Sequence, residues 1–554
     1  MIRNIPKKFI ALLRWSDDRI NPIVVKELRQ GVQSRVISTF IMILLIALVL
    51  ICVGGAMFST DHSGNTSGGQ RMFLFLAGSL YIAAIGLIPL YVLFRLWRER
   101  GQANIDLQFV TTLKPIKIVR GKFYAGVVLV TLLYSICLPF LLFTYLLGGF
   151  DIPSMFFSLF IGYFFAISMT TLALALAAWA STRKVLGTLV ILAAIPGLGM
   201  IVWSNIMMTY GIVSYGISEI ISWEGFAITA YMLTALWLFM KVIESMSVGM
   251  LSPPSSNRTR RLRVWASVMI FALTLITLVT AIVIDAFFSS TGDILDVFVM
   301  FWFFLTTHLA LIMMIVAICE PDGYSSRVML HRPKNSVLRV LAFPYTVGVS
   351  GGIAWVALHF LFIAMALPFI HILTKDHTYI DLLDFSELAG FYTWIIYIVT
   401  YAMLGRFLLR LFPNKLSSAD GWVLMLLAIA IFMLGSMAFS YMLDPQYWYR
   451  GMAWKYFNPV TAIGESEIRN SGVLTIFALF AILINILWEL SNLIEYFTGI
   501  APLRFTEWIP GKVVPDYGEN MESPLDAVLS SGQPDAVPSP EQSVGENPFM
   551  EQEN

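Results

Sequence analysis

The chain has 554 residues, 58% of them hydrophobic and only 13% charged, with a mean hydropathy of +0.77. That is more apolar surface than a soluble fold of this length can bury, so a water-soluble globular protein is excluded. The formal net charge of +1 is spread over many short segments, with no basic domain that would bind nucleic acid.

In chain order, the opening "MIRNIPKKFIALLRWSDD" has an apolar stretch broken by Arg14 and no small-residue cleavage site, so it reads as a retained segment. "NPIVVKELRQGVQSRVISTF", Asn21 to Phe40, follows. Asn21 can cap free amides and Pro22 is tolerated at the first helical position. Val25, Leu28, Val32 and Val36 fall three and four residues apart, while Lys26, Arg29, Gln30 and Gln33 occupy other faces. The pattern predicts an amphipathic helix over Asn21 to Arg35 lying on the bilayer, its apolar side in the acyl boundary and its cations among anionic headgroups. On physics alone it reads as a membrane anchor.

A membrane-crossing helix needs roughly 20 mostly apolar residues. About twelve such runs are present: Val36–Phe58, Met72–Trp97, Phe123–Leu147, Ser154–Ala180, Val185–Thr209, Phe226–Ile243, Val264–Phe288, Val297–Cys319, Val337–Ile372, Leu388–Leu411, Trp422–Leu443 and Val473–Phe497. The expected fold is all-α, a polytopic transmembrane helical bundle. With the amino terminus inside, the inner segments hold 31 of the 36 lysines and arginines. Both termini are therefore expected in the cytoplasm. The run from Val337 is long enough for an interfacial segment, with a break near Pro344 and Gly348 to Gly352, before its span. Cys52, Cys137 and Cys319 lie in or beside apolar runs and imply no disulfide framework.

"SPPSSNRTRRLRVW", Ser252 to Trp265, reads as an exposed linker with six spans on either side. Both halves follow the same order of spans and loops, a candidate tandem duplication. The expected division is an amino-terminal segment with its interfacial helix at 1–35, a first six-span unit at 36–251, a linker at 252–263, a second and more divergent unit at 264–497, and a disordered cytoplasmic tail at 498–554. From Pro510 onward the chain is rich in Pro, Ser, Gly, Asp and Glu, with Lys512 its one basic residue, too polar to bury a core.

The segment after the second span, "RERGQANIDLQFVTTLKPIKIVRGKF", carries Glu99, Arg100, Gly101, Asp106, Leu107, Thr111, Leu113, Pro115, Ile118, Val119, Gly121 and Lys122 in order. Together with Lys26, Glu27, Leu28 and Arg29 after an Asn-Pro start, this resembles the permease subunits of type-2 ABC exporters. The loop is about two residues longer than usual between Gly101 and Asp106, and Thr112 stands where that family often has proline. The resemblance implies an interfacial helix at Lys26 to Arg29. It also implies a coupling loop, marked by Glu99, Arg100, Gly101, Ile105, Asp106, Leu107, Phe109, Pro115, Gly121 and Lys122, that docks on a separate ABC ATPase chain. Ile105, Leu107, Phe109 and Val110 would be its apolar anchors. "CEPDGYSSRVMLHRPKNSVLRV", Cys319 to Val340, looks like a degenerate counterpart in the second half. Either one chain supplies both six-span units or it pairs with a second permease chain or its own copy; the family also implies a prokaryotic inner membrane.

The chemistry of ATP hydrolysis is missing from the chain. Gly121-Lys122 is followed by Phe123 and has no glycine five positions earlier, so it is not a phosphate-cradling loop. No catalytic residue, cofactor or metal is expected. The histidines are scattered without ligand spacing; His308 and His359, deep in spans, are expected to make helix-to-helix hydrogen bonds. Glu489 is the main acidic residue well inside a span, with Asn485 and Asn492 as candidate partners. Asp285, Glu320 and Glu244 fall at span ends, where solvated charge is ordinary. So few buried acids weigh against an ion-coupled twelve-span secondary transporter, the first alternative. A non-transporting membrane scaffold or membrane-integral enzyme is the second.

Overall fold

A computed structural model describes residues 22–58, 68–101, 114–147, 152–180, 187, 199, 223–253, 256–287, 292–320, 324–374, 385–411, 423–428, 431 and 473–498. Contacts divide the chain after Ile500, and all the described residues belong to the first of the two units.

Every described regular element is helical. α1 (Pro22–Val32) leads into α2 (Arg35–Phe58). α3 (Gly68–Tyr81), a π-helical segment (Ile82–Leu87) and α4 (Ile88–Gly101) form one continuous run. α5 (Pro115–Leu146) and α6 (Ile152–Trp179) complete the first set. α7 (Trp223–Leu251), α8 (Arg260–Phe287) and α9 (Gly292–Ile318) follow. Two short helices, α10 (Ser326–Leu330) and α11 (Ser336–Ala342), precede a 3₁₀ turn at Phe343–Tyr345. The remaining helices are α12 (Val349–Thr374), α13 (Phe385–Leu411) and α14 (Val473–Thr498).

Eight of these runs are long and apolar enough to cross a membrane, among the described residues: Arg35–Gly55, Gly69–Glu99, Pro115–Leu146, Ile152–Trp179, Gly225–Leu251, Arg260–Val283, Phe298–Ile318 and Val349–Ile370. The architecture is an all-α polytopic membrane bundle. Of the other expected spans, Val185–Thr209 and Trp422–Leu443 lie for the most part outside the described residues, and Leu388–Leu411 and Val473–Phe497 fall within α13 and α14. The outward faces are apolar, with Leu50, Phe75, Leu275 and Met365 all more than half exposed, as a lipid environment requires.

Two apolar cores hold the bundle. One gathers Leu48, Phe73, Leu76, Tyr81, Val130, Leu133 and Leu174 from α2 to α6. The other gathers Leu273, Trp302, Met313, Trp355 and Tyr401 from α8, α9, α12 and α13. They meet on α7, which gives Val248 and Leu251 to the first and Tyr231, Leu238 and Val242 to the second. Because lipid is as apolar as leucine, close packing and small residues hold such helices together. α6 presents buried Ser154, Ser158, Gly162 and Ala166 at four-residue spacing. Tyr81 fills the notch at Gly162 and donates a hydrogen bond to the Ser158 carbonyl at 3.0 Å. A Cβ at Gly162 would lie 2.1 Å from the Tyr81 ring. Gly162→Ala is therefore expected to lower stability by about 1–3 kcal/mol, the range for overpacking, read as an earlier thermal transition of the purified protein in detergent.

Several charges depart from expectation. The short Phe226–Ile243 run is part of the longer α7, because Lys241 and Glu244 do not end the helix. Lys241 Nζ lies 3.0 Å from Glu244 Oε2, and Arg120 Nε of α5 lies 2.7 Å from Oε1. Glu244 is 8% exposed, so this end-of-span carboxylate is buried and paired. The expected linker at 252–263 is shorter, since α8 begins at Arg260 and Arg263 is buried. Arg263 Nη2 lies 2.5 Å from Glu320, and its guanidinium also donates to the carbonyls of Pro344, Thr346 and Gly348. Glu320, expected in solvent, is buried as well and accepts from the Gly348 amide. Gly348, at φ +119°, is what lets the chain turn both its amide and its carbonyl toward this pair. Burial is the largest influence on the Glu320 carboxyl and pushes its pKa up, against the pull of Arg263 and the Gly348 amide.

His359 departs from expectation too, since its ring bonds within its own helix. His308 and His359 hydrogen-bond back to Phe304 and Trp355 of their own helices, each at 2.8 Å, and His359 stacks on Trp355 at 3.8 Å. Asn485 reaches across to α13, donating to the Met403 carbonyl and accepting from Arg410, each at 3.2 Å. The side chains of Asp285 and Glu489 lie outside the described residues. In the loop expected to be a degenerate coupling segment, Arg332 and Arg339 donate to the Tyr496 and Phe497 carbonyls, each at 2.5 Å. They satisfy the orphan acceptors at the end of α14.

Candidate functional site

Three separate stretches of sequence, Lys26 to Arg29, Glu99 to Gly101 and Gly121-Lys122, are brought together at one end of the bundle. α1 lies along α5 because Val24, Glu27 and Gly31 recur at three- and four-residue spacing, and that face is the buried one. Val25 and Val32 point outward, 46% and 54% exposed, as the lipid-facing side of an interfacial helix would. Pro115 opens α5 at its first turn, after Lys114 in an extended conformation (φ −69°, ψ 142°). That start places Lys122 two turns into the helix, facing α1 and α4.

Lys122 Nζ lies 2.6 Å from Glu27 Oε1 and 2.6 Å from Glu99 Oε2. Arg95, one turn before Glu99 on α4, sets its Nε 2.6 Å from Glu27 Oε2 and 3.9 Å from Glu99 Oε1. Its terminal nitrogens donate to Tyr91 Oη at 2.8 Å and to Gln30 of α1. Lys122 and Glu27 are only 4% and 5% exposed. Stripping water from such ions costs several kcal/mol each unless a partner replaces it. Here two carboxylates face two cations, so the cluster is charge-balanced and every member is held from at least two sides. It is a clasp that fastens α1, the end of α4 and the start of α5 to one another.

Of the residues the sequence singled out, Glu27, Glu99 and Lys122 form this clasp. Lys26 and Arg29 are exposed, Leu28 is half-buried and Gly121 is buried on α5. Arg100 and Gly101 belong to the last turn of α4. Ile105, Asp106, Leu107, Phe109 and Val110 lie outside the described residues. Arg95 was passed over, since a basic residue at that end follows from orientation alone. Its four-residue spacing to Glu99 on a helix was the available signal. A narrow cleft beside the clasp is walled by Val92, Leu96, Ala125, Gly126 and Leu129. Among the described residues no group of His, Cys, Asp or Glu is arranged to hold a metal ion.

No protein-family model matches the chain, and neither a curated protein nor a solved structure is significantly similar to it.

Proposed function

We propose that the chain is the membrane-spanning permease subunit of an ATP-driven exporter of the ABC type, coupled through the segment between α4 and α5 to an ATPase carried on a separate chain. The observation that supports this most directly is the clasp. Glu99 and Lys122 stand on the two helices that bracket residues 102–113, and both ends are tied to each other and to Glu27 of α1. A displacement imposed on that segment would reach α1, the α3–α4 run and α5 together, because pulling any one of these helices away would leave buried charges short of partners. The motif resemblance at Asn21 to Arg35 and Glu99 to Lys122 supplies the rest of the case. On this reading both termini are cytoplasmic, the protein sits in a prokaryotic inner membrane, and a second six-span unit comes from the same chain or from a partner copy.

The reading is tested by purification from native membrane. An ABC ATPase chain is expected to copurify, and Leu107→Asp with Phe109→Asp is expected to reduce its recovery by more than about tenfold, the effect of losing central apolar anchors. An intact complex in that variant would rule out the coupling segment. Transport that persists without ATP under a clamped ion gradient would favour the secondary-transporter alternative.

A further inference from the structure

Besides Lys117 and Lys122, α5 carries Arg120, two residues before Lys122 and so on a different side of the helix. The two ion clusters it joins differ in balance. Lys122 sits in a buried group with as many carboxylates as cations. Arg120, Lys241 and Arg261 share one carboxylate, Glu244, at 2.7, 3.0 and 3.6 Å. Among the described residues no other carboxylate lies within 4 Å of these three, so two positive charges are left uncompensated. The three side chains are also open, 41%, 25% and 32% exposed against 4% for Lys122. Arg120 engages Glu244 through Nε, and its terminal nitrogens have no partner among the described residues.

The surroundings are those of a bilayer boundary. Arg261 is the second residue of α8 and Arg120 the sixth of α5, so both lie within the first two turns of helices entering the apolar layer. Lys241 lies 5.8 Å from the Trp237 ring, and Trp237 meets Trp265 edge to face at 6.3 Å. Trp237, Val264 and Val268 are exposed at 45%, 41% and 40% on the outward side of α7 and α8. A cationic pocket formed by the first two turns of α5 and α8 and by Lys241 within α7, flanked by amphipathic rings and exposed apolar side chains, matches a phospholipid from headgroup to chain.

We propose that Arg120, Lys241 and Arg261 bind the phosphate headgroup of an anionic phospholipid whose acyl chains lie along the outward groove of α7 and α8 past Trp237. The site bridges helices of the two apolar cores, since α5 contributes to the first and α8 to the second. It stands independently of the exporter reading.

Native mass spectrometry of the full chain in neutral detergent, titrated with phosphatidylglycerol, phosphatidylcholine or inorganic phosphate, tests it. Phosphatidylglycerol is expected to be retained and phosphatidylcholine to bind more weakly. Arg120→Gln with Arg261→Gln is expected to weaken phosphatidylglycerol about 30-fold, from the contribution of two cations at a membrane surface. Lys334→Gln, which removes an exposed cation elsewhere, leaves retention unchanged. If the double variant fails to fold, Trp237→Ala reports in its place, because it keeps every charge and is expected to weaken the lipid but not inorganic phosphate. Equal binding of the two lipids, or equal loss with Lys334→Gln, overturns the proposal. Inorganic phosphate displacing phosphatidylglycerol at equal concentration also overturns it, making this a soluble-anion site.

Discussion

Lys122→Met is expected to cost about 3–5 kcal/mol of stability, the penalty for removing one partner of a buried ion pair. The methionine fits the volume of the lysine stem, so lost packing is a small part. The cost arises because Glu27 and Glu99 are left facing each other in a space that admits little water, with Arg95 alone to neutralise both. The thermal transition in detergent should fall steeply, and a protease should cut near α1 at a temperature at which the native protein resists. Adding Glu99→Gln to Lys122→Met removes the surplus negative charge and should recover most of the loss. That rescue distinguishes a charge clasp from a lysine that merely packs. If the single variant melts like the native protein, the clasp carries no load.

The second large effect concerns Arg263 and Glu320, and it should be asymmetric. Arg263→Met leaves the Glu320 carboxylate without its cation and three carbonyls, those of Pro344, Thr346 and Gly348, without their donor. A loss of about 3–5 kcal/mol is expected, with the turn that precedes α12 released. Glu320→Gln should cost less, on the order of 1–3 kcal/mol, because Arg263 keeps its three carbonyl acceptors. A pH series separates the two further. Burial already raises the Glu320 carboxyl pKa in the intact protein, and without Arg263 that push is unopposed by the cation. A carboxyl whose pKa is raised on folding binds its proton more tightly in the folded state. Arg263→Met should therefore lose stability as pH rises through the raised pKa, while Glu320→Gln, with nothing to titrate there, should not. Equal losses in the two variants would mean that the carbonyl contacts count for nothing.

Much of the clasp was legible before any coordinates. The helix at Pro22 followed from Asn-Pro and the three- and four-residue valine spacing, and Glu99 and Lys122 stood out within an ordered motif. What could not be read was that they touch: Lys122 and Glu27 are 95 positions apart, and nothing local pairs them. Arg95 shows the limit from the other side. Its helical spacing to Glu99 was visible, yet a cation at the basic end of a bundle looks the same in sequence whether it is solvated or buried between two carboxylates.

Composition and the lengths of its apolar runs determined by themselves that this chain is a helical membrane protein, because a bilayer gives the backbone no other partner and so forces the polypeptide into long apolar helices. Only the tertiary structure decided which charges are structural. Glu244, Arg263 and Glu320 sit where helix ends ordinarily meet water, and whether such a group is hydrated or buried depends on what another segment, 57 residues away for Arg263 and Glu320 and 124 for Arg120 and Glu244, brings against it. The physical reason is one of range. Hydropathy acts on each residue where it stands, whereas a buried charge survives only through a partner that folding must deliver.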